Sequence, residues 1–560
     1  MESEKKQKLR IGLLMETYNL PLWEYTLVKR LIESHYASIE LLIFKNSIVG
    51  KNRSLFARIS DINNWKKAAF RVYRDLDLLL YKPDQYAFDR KEATELLKQV
   101  PTIVTKTIST NYSDRFCMKD IQKIGEYDLD ILIRLGFKIL RGDILKIARY
   151  GVWSYHHGDN RINRGGYAGF WEIVEGKLVA GANLQILNED LDNGLVLYRS
   201  LSHTIGTYSQ NINKIYWKSV SFLPRKLEEL YNIGGKLFFN NVNRINEHPC
   251  YYSEKLYLPR NAGYRLISKL IINQLIKRIK SKLYFMFYFN QWILQFHIKK
   301  GYSDSFWRYK KIIPPKDRFW ADPFVIFKDE KYYIFIEEYI YRLRKGHISC
   351  IIMDSKGNYQ FPIKVLDKSF HLSYPHIFKS ESDLFMIPET GSEKVIDLYK
   401  CTKFPNKWEF VTRLMENVEA YDSTLFFHDN KYWLFTNIRE NKGASENDEL
   451  FLFYSDTLLT NDWKSHPNNP IVSDVTRARP AGNIFIRDSK IYRPSQNCSK
   501  TYGYGIKINH IVTISENYYE EKEIGSILPN WDNKIISTHT YNASGSLNII
   551  DARMRRRKLF

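Results

Sequence analysis

The sequence predicts a multidomain protein: an N-terminal α/β domain on a mainly parallel sheet, then a C-terminal all-β five-bladed propeller. Three observations carry this expectation. The chain has 560 residues, more than one hydrophobic core usually serves. Up to about residue 260, strand-like apolar runs alternate with helical spacing, as parallel α/β sheets require. Beyond about residue 300, short aromatic and β-branched strands recur every fifty residues or so, roughly the size of a propeller blade. The expected boundaries are 1–260 for the α/β domain, 261–300 for a basic amphipathic linker and 301–560 for the propeller.

In the first region, "LRIGLLM" (9–15) is a short buried strand, "LPLWEYTLVKRLIES" (20–34) has helical spacing, and "SIELLIFKN" (38–46) is strand again. "YDLDILIRLG" (127–136) runs strand-like into a glycine, and "DILKIARYG" (143–151) is a short helix before "VWSYHH". No GxGxxG follows the first strand, so a dinucleotide fold has no support.

The second region repeats itself. "ADPFVIFKDEKYYIFIEE" (321–338), "SYPHIFKSESDLFMIPET" (373–390), "YDSTLFFHDNKYWLFTNI" (421–438) and "PAGNIFIRDSKIYRPSQN" (480–497) each hold an apolar strand, a polar turn and an aromatic strand. Asp322, Tyr374, Asp422 and Ala481 share one register, at steps of 52, 48 and 59 residues; Glu337, Glu389, Asn437 and Gln496 share another. Equivalent positions of a propeller face its central channel, so these groups are expected to converge. A fifth blade would use 530–555, closed by a strand near Trp292.

Composition narrows the function. Five scattered cysteines without CxxC spacing argue against a disulfide framework and for a reducing compartment. "MESEKKQKLR" lacks the apolar core of a secretory signal, so a cytoplasmic location is expected, with membrane association at the inner face as an option. The formal charge of +22 suits anionic partners. No nucleic-acid-binding motif is present, so no nucleic acid is expected. Residues 266–296 mix Lys and Arg with apolar and aromatic residues, too short an apolar run to span a bilayer. They suit either a peripheral contact with an anionic membrane or an interdomain helix followed by a buried strand.

"WSYHHGDNRINRGG" (153–166) concentrates chemistry-bearing residues. Adjacent side chains diverge, so His156, His157 and Asp159 make a poor metal set, and no metal is expected. Arg161 and Arg164 are candidates for a substrate phosphate, which guanidinium binds bidentately. With "GFKIL" (136–140) before it and "DLDNG" (190–194) after, this stretch resembles the formyltransferase fold of glycinamide ribonucleotide, methionyl-tRNA and sugar N-formyltransferases. The resemblance implies His156 and Asp192 as the catalytic pair and 10-formyltetrahydrofolate as donor. It places Ser154 where the family has an asparagine that donates to the oxyanion; losing such a donor costs about 2.7–4 kcal/mol.

"DRFWADPF", "LFMIPETG", "RARPAGNIF", "YRPSQNCSKTYG" and "STHTYN" resemble the five-bladed propeller of family-43 glycoside hydrolases. They resemble more closely the N-terminal propeller of plant glucosamine inositolphosphorylceramide transferase. The hydrolase likeness implies Asp322 as base, Asp422 as the carboxylate that tunes pKa and Glu389 as acid, although the motif around Glu389 differs. Arg479, Arg493, Gln496 and His539 are expected to make the channel basic and suited to an anionic sugar. The main expectation is therefore a formyl or related acyl transferase acting on an amino sugar or nucleotide-amino-sugar in surface polysaccharide synthesis, with a glycan-binding propeller. The alternative puts glycosyl transfer or glycoside processing in the propeller and leaves the N-terminal domain degenerate. A third reading makes both domains binding modules.

Overall fold

The computed structural model describes residues 6–46, 62–110, 112–162, 164–190, 193–247, 257–258 and 261–558. The chain divides into two compact units, Met1–Gln274 with Asn441–Ala444, and Leu275–Glu440 with Ser445–Phe560.

The first unit is built on a seven-stranded sheet. Its strands in chain order are β1 (Leu9–Met15), β2 (Ala37–Lys45), β3 (Thr102–Thr105), β4 (Ile131–Arg134), β5 (Val152–His156), β6 (Val179–Ile186) and β7 (Leu195–His203). The spatial order is β7-β6-β5-β4-β1-β2-β3. The five from β5 to β3 run parallel, and β6 and β7 join antiparallel. Ile11, Leu13, Leu14, Leu42 and Ile131 are wholly buried, as near-continuous apolar runs should be when both faces of a sheet are covered. Helix Leu22–Ile32 buries Trp23, Leu27, Val28 and Leu31 in the same core. Residues 143–151 hold only a 3₁₀ turn, Asp143–Lys146, where the sequence suggested a short helix. Gly142 and Gly151, both at positive φ, bracket that stretch.

The second unit consists of antiparallel sheets, four of them begun by a hairpin of the repeat. The first three hairpins pair identically. Ala321 faces Glu337, Ser373 faces Glu389 and Tyr421 faces Asn437, each followed by a β-bulge. The bulge residues Asp322, Tyr374 and Asp422 have φ of 50°, 42° and 51°. That conformation is tolerable for Asp and strained for Tyr. The hairpin tips Asp329-Glu330, Asp429-Asn430 and Asp488-Ser489 have positive φ at both positions, the twist that two-residue hairpins need.

The fourth repeat departs from the expected register. Pro480 bridges Ser495, and the Gln496 N–H donates to the Arg479 carbonyl. Arg479 thus faces Gln496, and Pro480, not Ala481, holds the place of Asp322. Proline cannot adopt positive φ, so the conformation of Asp322 has no counterpart at Pro480, and the register shifts later, between Pro480–Ser495 and Phe485–Tyr492. The remaining sheet joins Tyr288–Ile298 to the C-terminal strand Leu547–Arg557 in eleven residue pairs.

Candidate functional site

The bulges of the second unit aim backbone N–H groups at carboxylates of neighbouring sheets. The Asp322 N–H donates to Asp551 Oδ2 (3.1 Å), the Tyr374 N–H to Asp322 Oδ2 (3.3 Å) and the Asp422 N–H to Glu389 Oε2 (3.3 Å). Each of these turns is therefore held by a carboxyl oxygen of a neighbouring sheet, and each carboxyl is held in place by the turn.

Around Asp322 the cluster is closed by the C-terminal sheet. Thr540 Oγ1 donates to Asp322 Oδ1 (2.8 Å), His539 Nε2 lies 3.8 Å from the same oxygen, and His539 Nδ1 meets Asp551 Oδ2 at 2.5 Å. The Trp292 ring stacks on His539 at 4.1 Å. Burial alone would lower the His539 pKa, but Asp551 and Asp322 outweigh it and hold it above its usual value. Burial pushes Asp322 up to about 6, against His539 and with help from Asp422 and Asp551. Asp322, His539 and Asp551 place three ligating atoms within 4.8 Å of one another, so they are the residues of this unit suited to hold a cation.

On the other side, Arg479 is shared by two carboxylates. Its Nε donates to Asp422 Oδ2 (2.5 Å), and its Nη2 lies 3.2 Å from both Asp422 Oδ1 and Glu389 Oε2. Gln496 Nε2 also donates to Asp422 Oδ2 (2.7 Å). Tyr421 and Tyr502 present ring faces to the guanidinium at 5.3 and 4.9 Å. Burial and then Asp422 raise the Glu389 carboxyl well above the usual carboxylate range despite Arg479. Glu337 is raised chiefly by burial, with Asp322 the largest of the charges that add to it.

The next residue, Glu338, points to the opposite face of its strand and behaves oppositely. Burial would raise it, but donors from His347, Ser349, Arg318 and Trp320 pull it down to about 2. Glu338 is a satisfied structural anion, whereas Glu337 and Glu389 are carboxyls poised to keep a proton.

The structure thus brings Asp322, Glu389, Asp422 and Gln496 of the repeat together with Arg479 and His539 in one network, its two halves joined through Tyr374 and Thr424. Arg493 stands outside it. Its guanidinium pairs bidentately with Glu521 (2.8 and 2.7 Å) and donates to the Arg477 carbonyl. Asp551, Tyr502 and Trp292 join the network without having been singled out. Asp551 lies in a sheet built from both ends of the second unit, so the hairpin repeat that marked the other positions is missing there.

In the first unit, β5 carries Ser154 and His156 to its end beside β4, with His156 opposite Asn183 on β6. Ser154 is buried; Arg134 Nη1 donates to its oxygen (2.8 Å), and it donates to the Tyr155 carbonyl (3.3 Å). Its single proton is thereby spent, so it does not fit the oxyanion donor that folate-dependent formyl transfer needs. His157 turns into packing, stacked on Tyr216 at 3.6 Å and bonded to Ser219 (3.0 Å); burial and His156 push it down to about 3. Arg161 is chelated by Asp159 two residues away, and Arg164 donates to Asn193. Asp192 lies outside the described residues.

Comparison with known proteins favours the second unit. The family "Glucosamine inositolphosphorylceramide transferase 1, N-terminal" matches residues 312–544. Glucosamine inositolphosphorylceramide transferase 1 of Oryza sativa subsp. japonica is 35% identical over 206 residues, covering 36% of this chain and 27% of the rice protein. The chain thus spans little more than a quarter of that relative's length. Methionyl-tRNA formyltransferase of Prochlorococcus marinus is 38% identical over 81 residues, 14% of this chain and 24% of that enzyme. A thermostable family-43 glycoside hydrolase of known structure covers 40% of this chain and 82% of its own, at 12% identity and a TM-score of 0.31. The expected cytoplasmic location is overturned by these relatives, since the proteins matched are named for transfer to a ceramide lipid, not for a cytoplasmic reaction. Among the described residues no helix is long and apolar enough to cross a membrane.

Proposed function

We propose that the chain is a carbohydrate-handling enzyme whose site is the carboxylate network of the second unit, and that it carries out glycosyl transfer or glycoside processing on an anionic, phosphate-bearing glycoconjugate. In this reading the sheets of the second unit are the five blades of a propeller, and the network lines its channel. One observation carries it: buried carboxyls of different sheets converge, Asp422 and Glu389 on Arg479, and Asp322 and Asp551 on His539. At neutral pH Asp322, near 6, is ionised and suited to act as base. Glu389, raised well above its usual range, keeps its proton and is suited to act as acid. Arg479 gives the site a cation for a phosphate on the substrate.

The plant relatives support the substrate class, because their name joins an amino sugar to an inositol phosphate. Formyl transfer in the first unit is less well supported, since it draws on the 81-residue likeness while Ser154 has no proton free; no step is assigned to folate. Purified protein incubated with nucleotide-amino-sugars and an inositol-phosphate acceptor tests the proposal. Product formation should fall at least a hundredfold in Asp322→Asn and in Glu389→Gln, the range of acid–base assistance (~10²–10⁴), and persist in His156→Ala. Loss in His156→Ala alone would move the chemistry to the first unit.

A further inference from the structure

The helix Tyr264–Phe287 carries two different faces along its length. Its first half buries Ile267 and Leu270. From Leu275, where the second unit begins, every residue to Phe287 is exposed except Tyr284, which is half-buried. The pattern of that second half is not random. Leu275, Ile276, Ile279, Leu283, Met286 and Phe287 recur at helical spacing and, at 3.6 residues per turn, fall within an arc of about 120°. Their side chains are 44% to 61% exposed, which is unusual for six large apolar groups on one stripe.

Charge decides what covers this stripe. Lys280 and Lys282 border it, Lys277 and Arg278 lie behind, and residues 261–300 contain no Asp or Glu. The strand that follows pairs Tyr288, Phe289 and Asn290 with Arg557, Arg556 and Arg555, so the end of the helix meets a second basic cluster. Beside it lies a hollow of about 520 Å³ lined by Phe285, Phe289, Asn290, Tyr341 and two lysines, Lys316 and Lys558. An apolar stripe edged by lysines and ending in aromatics matches a bilayer interface, where acyl chains take the Leu and Phe side chains and anionic headgroups take the lysines. A second copy of the chain would bring the same cations against them, and like charge opposes that contact.

We infer that residues 275–287, with Arg555, Arg557 and Lys558, form a docking surface for an anionic lipid bilayer, held at the surface rather than inserted across it. The inference is independent of the chemistry proposed for the carboxylate network. Co-sedimentation of the full chain with phosphatidylcholine vesicles, with or without phosphatidylserine, tests it. Binding should require phosphatidylserine and weaken as salt rises, because exposed charge is screened within about 8–10 Å at 0.1–0.15 M salt. Replacing Lys277, Lys280 and Lys282 with Gln should weaken binding about fivefold per residue, the value of one cation near an anionic surface (~1 kcal/mol). Leu283→Ser with Phe287→Ser should abolish binding while leaving the thermal melt unchanged, since both side chains are already in solvent. Equal binding to both vesicle types, or none to either, overturns the inference. So does a concentration-dependent dimer that the Leu283→Ser/Phe287→Ser variant abolishes, which would make the stripe a contact between copies.

Discussion

The two units treat their polar residues in opposite ways. In the first, the polar side chains of 153–166 each have their own partner: Asp159 is held by Arg161 two residues on, Ser154 by Arg134 of the neighbouring strand, and His157 by the helix that carries Tyr216 and Ser219. In the second, the partners are far apart in sequence. Asp322 meets Thr540 and His539 more than two hundred residues away, and Arg479 reaches back to Asp422 and Glu389. The dense motif therefore pairs its one carboxylate with an adjacent arginine, while the dispersed one leaves several carboxylates competing for one arginine and one histidine. A cluster assembled from distant segments holds unbalanced charge because every member is over-determined by its own sheet.

The largest effect that sharpens this contrast comes from removing the shared cation. Arg479→Ala leaves the Asp422 carboxylate buried without its cation and should cost about 3–5 kcal/mol, read from chemical denaturation of the second unit. Arg161→Ala, whose side chain is 41% exposed, should cost under about 1 kcal/mol. Equal losses would erase the distinction between the units.

A smaller effect tests the hydroxyl that ties the second repeat to the third and fourth. The buried Tyr374 hydroxyl meets Thr424 Oγ1 and accepts from the Gly482 N–H, both at 2.8 Å. Tyr374→Phe keeps the ring and strands those groups, which should cost about 1–3 kcal/mol in the same measurement.

The pH dependence separates the units next. Asp322 holds its proton more tightly folded, at about 6, than unfolded, at 3.8. Its contribution to stability is therefore complete below about 3.8 and is lost as pH rises through about 6. His539, also raised, acts in the same direction, its contribution complete below 6.5 and lost at higher pH. Urea midpoints followed from pH 4 to 7 should flatten in Asp322→Asn relative to the parent; an unchanged slope would mean that Asp322 titrates normally. A small effect is also expected of His157→Phe, which keeps the stack and loses the Ser219 bond, about 1 kcal/mol. It should leave the product assay unchanged.

Much of this was legible in residue order. Strand β1 falls on 9–15, as its apolar run indicated, and 266–296 lies in a helix followed by a strand. The hairpin repeat located Asp322, Glu389 and Asp422 because backbone pairing and turn chemistry are local and recur with sequence. Periodicity alone could not place the fourth repeat, where a proline at the bulge position turns Arg479 toward Gln496. It could not find Asp551 either, whose strand pairs with Tyr288–Ile298 across most of the second unit.

By itself the sequence determined the strands, their turns and which residues lie on the same face, since these follow from side-chain periodicity and allowed φ. Only the tertiary structure decided which charges meet. Glu337 and Glu338 are adjacent and chemically identical, yet burial beside other anions raises one, while four donors lower the other to about 2. Protonation depends on the field at a point in space, and that field is summed over segments whose separation along the chain says nothing about their distance.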